Sequence, residues 1–169
     1  MSLRAVLLVT AVAVMATACI TAPSPDLPVP PIVQVDSGDV RAQQFGSNTR
    51  EIVTNPVLDA KIHALFGPDW TLAPGYRLRA PASSFFATGS PPRMLRTQEA
   101  EYVAVTGCGP AGCGLQSVLL LVRPDAEVLL ARLDEGGFSH YYGYGTGLTM
   151  SPATRALLDR ARTAVEKPA

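Results

Sequence analysis

Neither sign of charge is in excess in this chain of 169 residues, where 14 Lys and Arg face 14 Asp and Glu. A protein that grips DNA or RNA presents a basic face to the phosphates, so a nucleic-acid partner is not expected. Metal-binding side chains are also scarce: beyond three cysteines the chain has only two histidines, His63 and His140. They are far apart in sequence and make no set for a structural or catalytic metal. No G-x-S-x-G, H-E-x-x-H or Gly-rich phosphate loop occurs. Asp134 and Glu135 are adjacent carboxylates, but on a strand they point to opposite faces and cannot flank one substrate. The expectation is therefore a protein with neither enzymatic activity nor a cofactor. Long apolar runs are missing too, since Ala5–Met15 falls short of the roughly 20 residues a membrane-spanning helix needs.

What stands at the N-terminus is a leader. Arg4 supplies a short basic region, Ala5–Met15 the apolar run, and Ala16-Thr17-Ala18 an A-x-A cleavage site, which together read as a signal peptide over 1–18. Cys19 follows directly, so the same stretch resembles a bacterial lipobox with Cys19 as the lipidated residue. Ile20 after that cysteine, by resemblance to lipoprotein sorting, favours the outer membrane, giving a periplasm-facing lipoprotein. Each buried CH2 of an acyl chain contributes about 0.8 kcal/mol of anchoring. Thr21–Pro31 carries five prolines in eleven residues, a composition that favours extended polyproline II and serves as a tether. Ile32–Arg50 has weak periodicity and is read as loosely structured. The expected organisation is thus signal peptide 1–18, lipobox cysteine and tether 19–50, and one domain over 51–167.

Inside the domain, Asn55 caps and Pro56 opens an expected helix with Val57, Leu58, Ile62, Leu65 and Phe66 along one side, stopped by Gly67-Pro68. A second helix follows Ser151 and Pro152, with Leu157, Leu158, Ala161 and Val165 on one side. Between them the period falls to two over Tyr76–Arg79, Arg93–Thr97, Glu101–Val105, Gln116–Arg123 and Glu127–Leu133, with Gly, Pro and Asp-Ala turns between. Helix, strands, helix with short turns predicts an α+β domain: an antiparallel β-sheet flanked by helices.

Cys108 and Cys113 enclose Gly109-Pro110-Ala111-Gly112. A zinc knuckle would need a second ligand pair, and a thioredoxin-like site would need C-x-x-C at a helix start, so neither fits. A disulfide across the mouth of a hairpin does fit, in the oxidising compartment an export signal implies. Closing so small a loop contributes roughly 2 kcal/mol by chain entropy. It would also turn Gly109–Gly112 into a rigid protruding loop, with the N–H groups of Gly109, Ala111 and Gly112 as candidate donors to a carboxylate. A structural staple and a staple that presents a binding loop both remain open. A second candidate surface is the Gly136–Gly147 segment, GGFSHYYGYGTG, with His140, Tyr141, Tyr142 and Tyr144; its bland alternative is an edge strand. His63 reads as a surface histidine.

The run EYVAVTGCGPAGCGLQSVLLLV is similar to the corresponding hairpin of the Ivy family, bacterial inhibitors of vertebrate (C-type) lysozyme. The match rests on Tyr102, Cys108, Pro110, Cys113, Gly114 and Gln116 and covers roughly residues 94–135. The resemblance implies a periplasmic domain with a sheet flanked by helices, and a disulfide-closed C-K-P-H-x-C loop that enters the lysozyme cleft. In that family the loop histidine engages the catalytic acids; here Gly109 stands for the Lys and Ala111 for the His, with Gly112 next. The implied function is a proteinaceous inhibitor of a lysozyme-like glycoside hydrolase, including an immunity role against a muralytic toxin. The resemblance also permits a homodimer. The competing expectation is a structural or chaperone-like envelope lipoprotein that keeps the disulfide for stability alone.

Overall fold

The computed structural model describes residues 33–73 and 75–167. The leader, Cys19 and the Pro-rich stretch lie outside them.

Two neighbouring strands, β4 (Glu101–Cys108) and β5 (Gln116–Val122), form the middle of an antiparallel sheet of seven strands. β3 (Arg93–Arg96) and then β1 (Gln34–Asp36) extend it on one side, and β6 (Leu129–Glu135) and β7 (Phe138–Tyr144) on the other. The two-residue β2 (Thr88–Gly89) pairs with the end of β4. Three helices accompany the sheet: α1 (Thr49–Val53), α2 (Asp59–Phe66) and α3 (Pro152–Glu166). The α+β class with an antiparallel sheet and helices is therefore as the sequence indicates.

Both faces of the sheet are covered, which explains why β5 reads as an unbroken apolar run instead of alternating with polar residues. Val118, Leu120 and Val122 join Ile52, Leu58, Ile62 and Phe85 on the face under α1 and α2. Leu119 and Leu121 join Leu158, Ala161 and Val165 of α3 on the other. Full burial of each such side chain contributes about 1.5–3 kcal/mol. Gly107 lets the 3-10 turn Ala82–Phe86 lie directly on β4, since a Cβ there would run into the Phe85 carbonyl oxygen.

Several elements differ from the sequence expectation. Ile32–Arg50 supplies β1 and the 3-10 turn Val40–Gln43, with Ala42 buried. α2 begins at Asp59 because Asn55 caps a tight turn: its Oδ1 accepts from Val57 N (2.9 Å), and its carbonyl accepts from Leu58 N and Asp59 N. Val57 consequently stays exposed, while Leu58, Ile62, Leu65 and Phe66 are buried. α3 follows the expected cap, Ser151 Oγ accepting from Thr154 N at 3.1 Å. Tyr76–Arg79 runs as irregular backbone, because carboxylates take the place of a strand partner. Arg77 N donates to Asp69 Oδ1 (2.6 Å) and Arg79 N to Glu135 Oε2 (2.7 Å). The Gly/Tyr segment is a full edge strand, β7, registered along β6 from Leu129↔Tyr144 to Glu135↔Phe138.

Candidate functional site

The β4–β5 connection and the β6–β7 turn lie side by side at one end of the sheet, where Gly136 N donates to the Leu115 carbonyl at 3.2 Å. This end forms a tip.

Cys108 closes the β4 ladder opposite Ser117, and Cys113 sits inside the loop, before β5 begins at Gln116. The disulfide, with Cα atoms 4.7 Å apart, therefore ties a strand end to its own loop and does not bridge two strands in register. Gly109 is buried and Pro110–Leu115 are all exposed. Gly112 N reaches the Gly109 carbonyl (3.0 Å), and Leu115 N and Gln116 N both reach the Gly112 carbonyl (3.0 and 2.8 Å). Gly112 has φ +87°, a left-handed conformation that favours glycine.

The expected free donors are all engaged. Gly109 N donates to the Gln116 carbonyl (3.0 Å), Gly112 N to Gly109, and Ala111 N to Gln116 Oε1 (2.9 Å). Gln116 Nε2 in turn donates to Glu135 Oε1 at 2.9 Å, and the other oxygen of Glu135 holds Arg79 N. Ala111 is thus connected through Gln116 and a buried carboxylate to the segment leading to the 3-10 turn under the sheet. Glycine is required at position 109, because a Cβ there would stand 2.7 Å from the Gln116 side chain.

Beside the loop, Gly136 and Gly137 turn the chain with φ +57° and +87°. The Arg79 guanidinium lies over this turn, Nη1 3.5 Å from where a Gly136 Cβ would be. Leu115 and Phe138 remain 64% and 67% exposed.

The second candidate surface is dispersed by strand alternation. Tyr142 is buried among the residues under α2, and its hydroxyl donates to Asp69 Oδ2 at 2.9 Å. Its phenol is held well above the ordinary range by burial and then by the Asp69 carboxylate. Tyr141 lies on the opposite face and donates to Asp159 Oδ1 of α3 at 2.7 Å; burial, then Asp159, raises it too. Tyr144 packs against the α2-side core, and His140 is half-buried on that same face. Three tyrosines thus fasten β7 to two layers and share no single surface.

Two carboxylates organise this part of the protein: Asp69, unmarked in the sequence, and Glu135, read there only as half of an adjacent pair. Asp69 is 2% exposed and accepts from Arg77 N, Arg77 Nε (3.3 Å) and Tyr142. Apart from Arg77, eight residues beyond Asp69, their donors come from distant segments, so no local pattern marks them. His63 is half-exposed on α2, its ring 4.9 Å from that of Trp70 and its Nε2 3.6 Å from Asp59 Oδ1, which makes it the surface histidine expected.

The opposite edge of the sheet carries an ion-pair cluster. Arg96 reaches Asp39 (2.6 Å), Glu101 (2.9 Å) and Asp36 (3.3 Å), while Arg41 reaches Asp39 (2.7 Å) and Glu101 (2.9 Å). Hydrogen bonds from Arg41 hold the Asp39 and Glu101 carboxyls below their ordinary range.

Among the described residues no group of three or more His, Cys, Asp and Glu side chains is arranged to hold a metal ion, and no helix is long and apolar enough to cross a membrane. Comparisons with protein-family models, curated proteins and solved structures find no match.

Proposed function

We propose that this protein is an envelope inhibitor of a lysozyme-like glycoside hydrolase, acting through the Cys108–Cys113 loop as a plug for the enzyme's cleft. The observation that carries this reading is the exposed run Pro110–Leu115 on a framework of one disulfide and five internal hydrogen bonds. A loop ordered before binding loses little conformational entropy when it docks. The resemblance to the Ivy hairpin supplies the target class. Loss of the loop histidine shifts the target from C-type lysozyme toward a bacterial muramidase, and a lipid on Cys19 would hold an immunity protein on the periplasmic side of the outer membrane.

One observation favours the structural alternative: the N–H groups of Gly109, Ala111 and Gly112 are satisfied internally, as a staple alone would have them. Inhibition assays of the purified protein against C-type lysozyme and a panel of bacterial muramidases decide between the two. Micromolar inhibition of at least one enzyme is expected; inhibition of none leaves the structural reading. Replacing Cys19 by Ala should release the protein from the membrane fraction, and retention there would rule out the lipid anchor.

A further inference from the structure

The N–H groups of Gly109, Ala111 and Gly112 are engaged and the loop carries no charged side chain, so charged recognition at the tip comes from a neighbour. We infer that Arg79 is the carboxylate-binding anchor of the tip, a role that rests on the inhibitor reading above and specifies how the tip meets an acidic cleft. The partner chemistry is a protein cleft carrying carboxylates, rimmed by apolar surface.

Three observations place the anchor. The Arg79 main chain is tied to the tip, its N–H on Glu135, while the guanidinium lies beside Gly136, Nη1 3.5 Å from where a Cβ on that glycine would be. Gly136 donates to Leu115, so this cation sits against the base of the loop. Among the described residues Arg79 pairs with no carboxylate. The nearby acids are already engaged. Glu135 is buried with a donor on each oxygen, and Asp134 is neutralised by Arg132 at 2.9 Å and bonded by Ser139 at 2.6 Å. Exposed charge at the tip is therefore positive.

A glycosidase cleft presents the complement, a pair of carboxylates in a partly water-excluded site. The planar guanidinium fork matches a carboxylate in bidentate geometry. Leu115 and Phe138, both largely exposed beside it, supply the apolar area that excludes water around such a pair. Arginine and aromatic residues are the side chains enriched in protein interfaces.

The test uses the full protein and the muramidase it inhibits most strongly. Arg79→Ala should weaken inhibition by about 30-fold or more, the level of an interface hot spot, and flatten its dependence on salt. Arg79→Lys should recover part of the loss, because the charge remains and the fork does not. All variants keep the main-chain bond to Glu135, so their thermal melts should match the parent. A double-mutant cycle pairing Arg79→Ala with amide replacements of the muramidase's catalytic carboxylates should show coupling to one of them. Unchanged inhibition by Arg79→Ala, or no coupling to either carboxylate, overturns the anchor while leaving the inhibitor reading standing. Failure of the unaltered protein to inhibit any enzyme removes both.

Discussion

The tip and the β1 edge of the sheet are held by opposite means. At the tip, a disulfide, neutral hydrogen bonds and one buried carboxylate hold the loop. At the β1 edge, five charged side chains, the exposed Arg41, the partly exposed Asp36, Arg96 and Glu101, and the largely covered Asp39, clamp a three-residue strand. Ion pairs that water reaches contribute little each and weaken with salt and acid, whereas a disulfide and neutral hydrogen bonds respond to neither in the ordinary range. The tip is therefore built to keep one shape under changing conditions, as a docking element requires. The edge only needs to finish the sheet, and its charges also keep that edge from pairing with another chain.

The largest expected effect comes from removing the buried carboxylate. Glu135→Ala orphans Gln116 Nε2 and Arg79 N together, and at about 1–3 kcal/mol for each buried unsatisfied group it should lower stability by roughly 3 kcal/mol in urea titration. A loss under about 1 kcal/mol would mean that water replaces the carboxylate and that the strut does not hold the loop. Replacing both Cys108 and Cys113 by Ser should cost roughly 2 kcal/mol. It should also raise hydrogen exchange at Ala111 and Gly112 while leaving β1 unchanged; unaltered exchange would show that hydrogen bonds alone order the loop.

Acid should separate the two regions in the other direction. Folding depresses the Asp39 and Glu101 carboxyls, so the unfolded chain binds protons more readily than the folded one. Their stabilisation is complete above the unfolded carboxylate range and is lost as the pH falls through the depressed folded values. Exchange of the Val35 and Asp36 amides should accelerate below about pH 4 before that of Gly112, whose bond to the Gly109 carbonyl inside the disulfide is neutral, and simultaneous acceleration would contradict the division. The smallest effect is that of 1 M salt, which should loosen the β1 edge by under about 1 kcal/mol and leave the tip unaffected.

Legibility followed the range of the interactions. The β4–β5 hairpin, the Ser151 cap and the apolar side of α3 are local patterns, and each stands where the sequence puts it. β1 escaped notice because three residues show no period, and its ion pairs come from Arg96, 60 positions from Asp36 and 57 from Asp39 in sequence. Tyr76–Arg79 alternates like a strand, but its N–H groups go to the carboxylates of Asp69 and Glu135, a choice made by side chains from other elements. The same applies to the loop: cysteine spacing indicates closure, yet nothing local shows that Gln116, bonded to Glu135 19 residues away, would take up the Ala111 donor. β7 is the edge strand that the sequence offered as the alternative reading of Gly136–Gly147, and its tyrosines look like one surface until strand alternation sends Tyr141 and Tyr142 to opposite faces.

The central claim, that the ordered loop is a docking element, is met most directly by replacing Gly109–Gly112 and both cysteines with a two-residue turn joining β4 to β5, then measuring inhibition of the muramidase panel beside the unaltered protein. The expected result is a folded protein, with its near-ultraviolet spectrum and β1 exchange retained, that no longer inhibits. Full inhibition by the shortened protein would contradict the claim and place the active surface elsewhere.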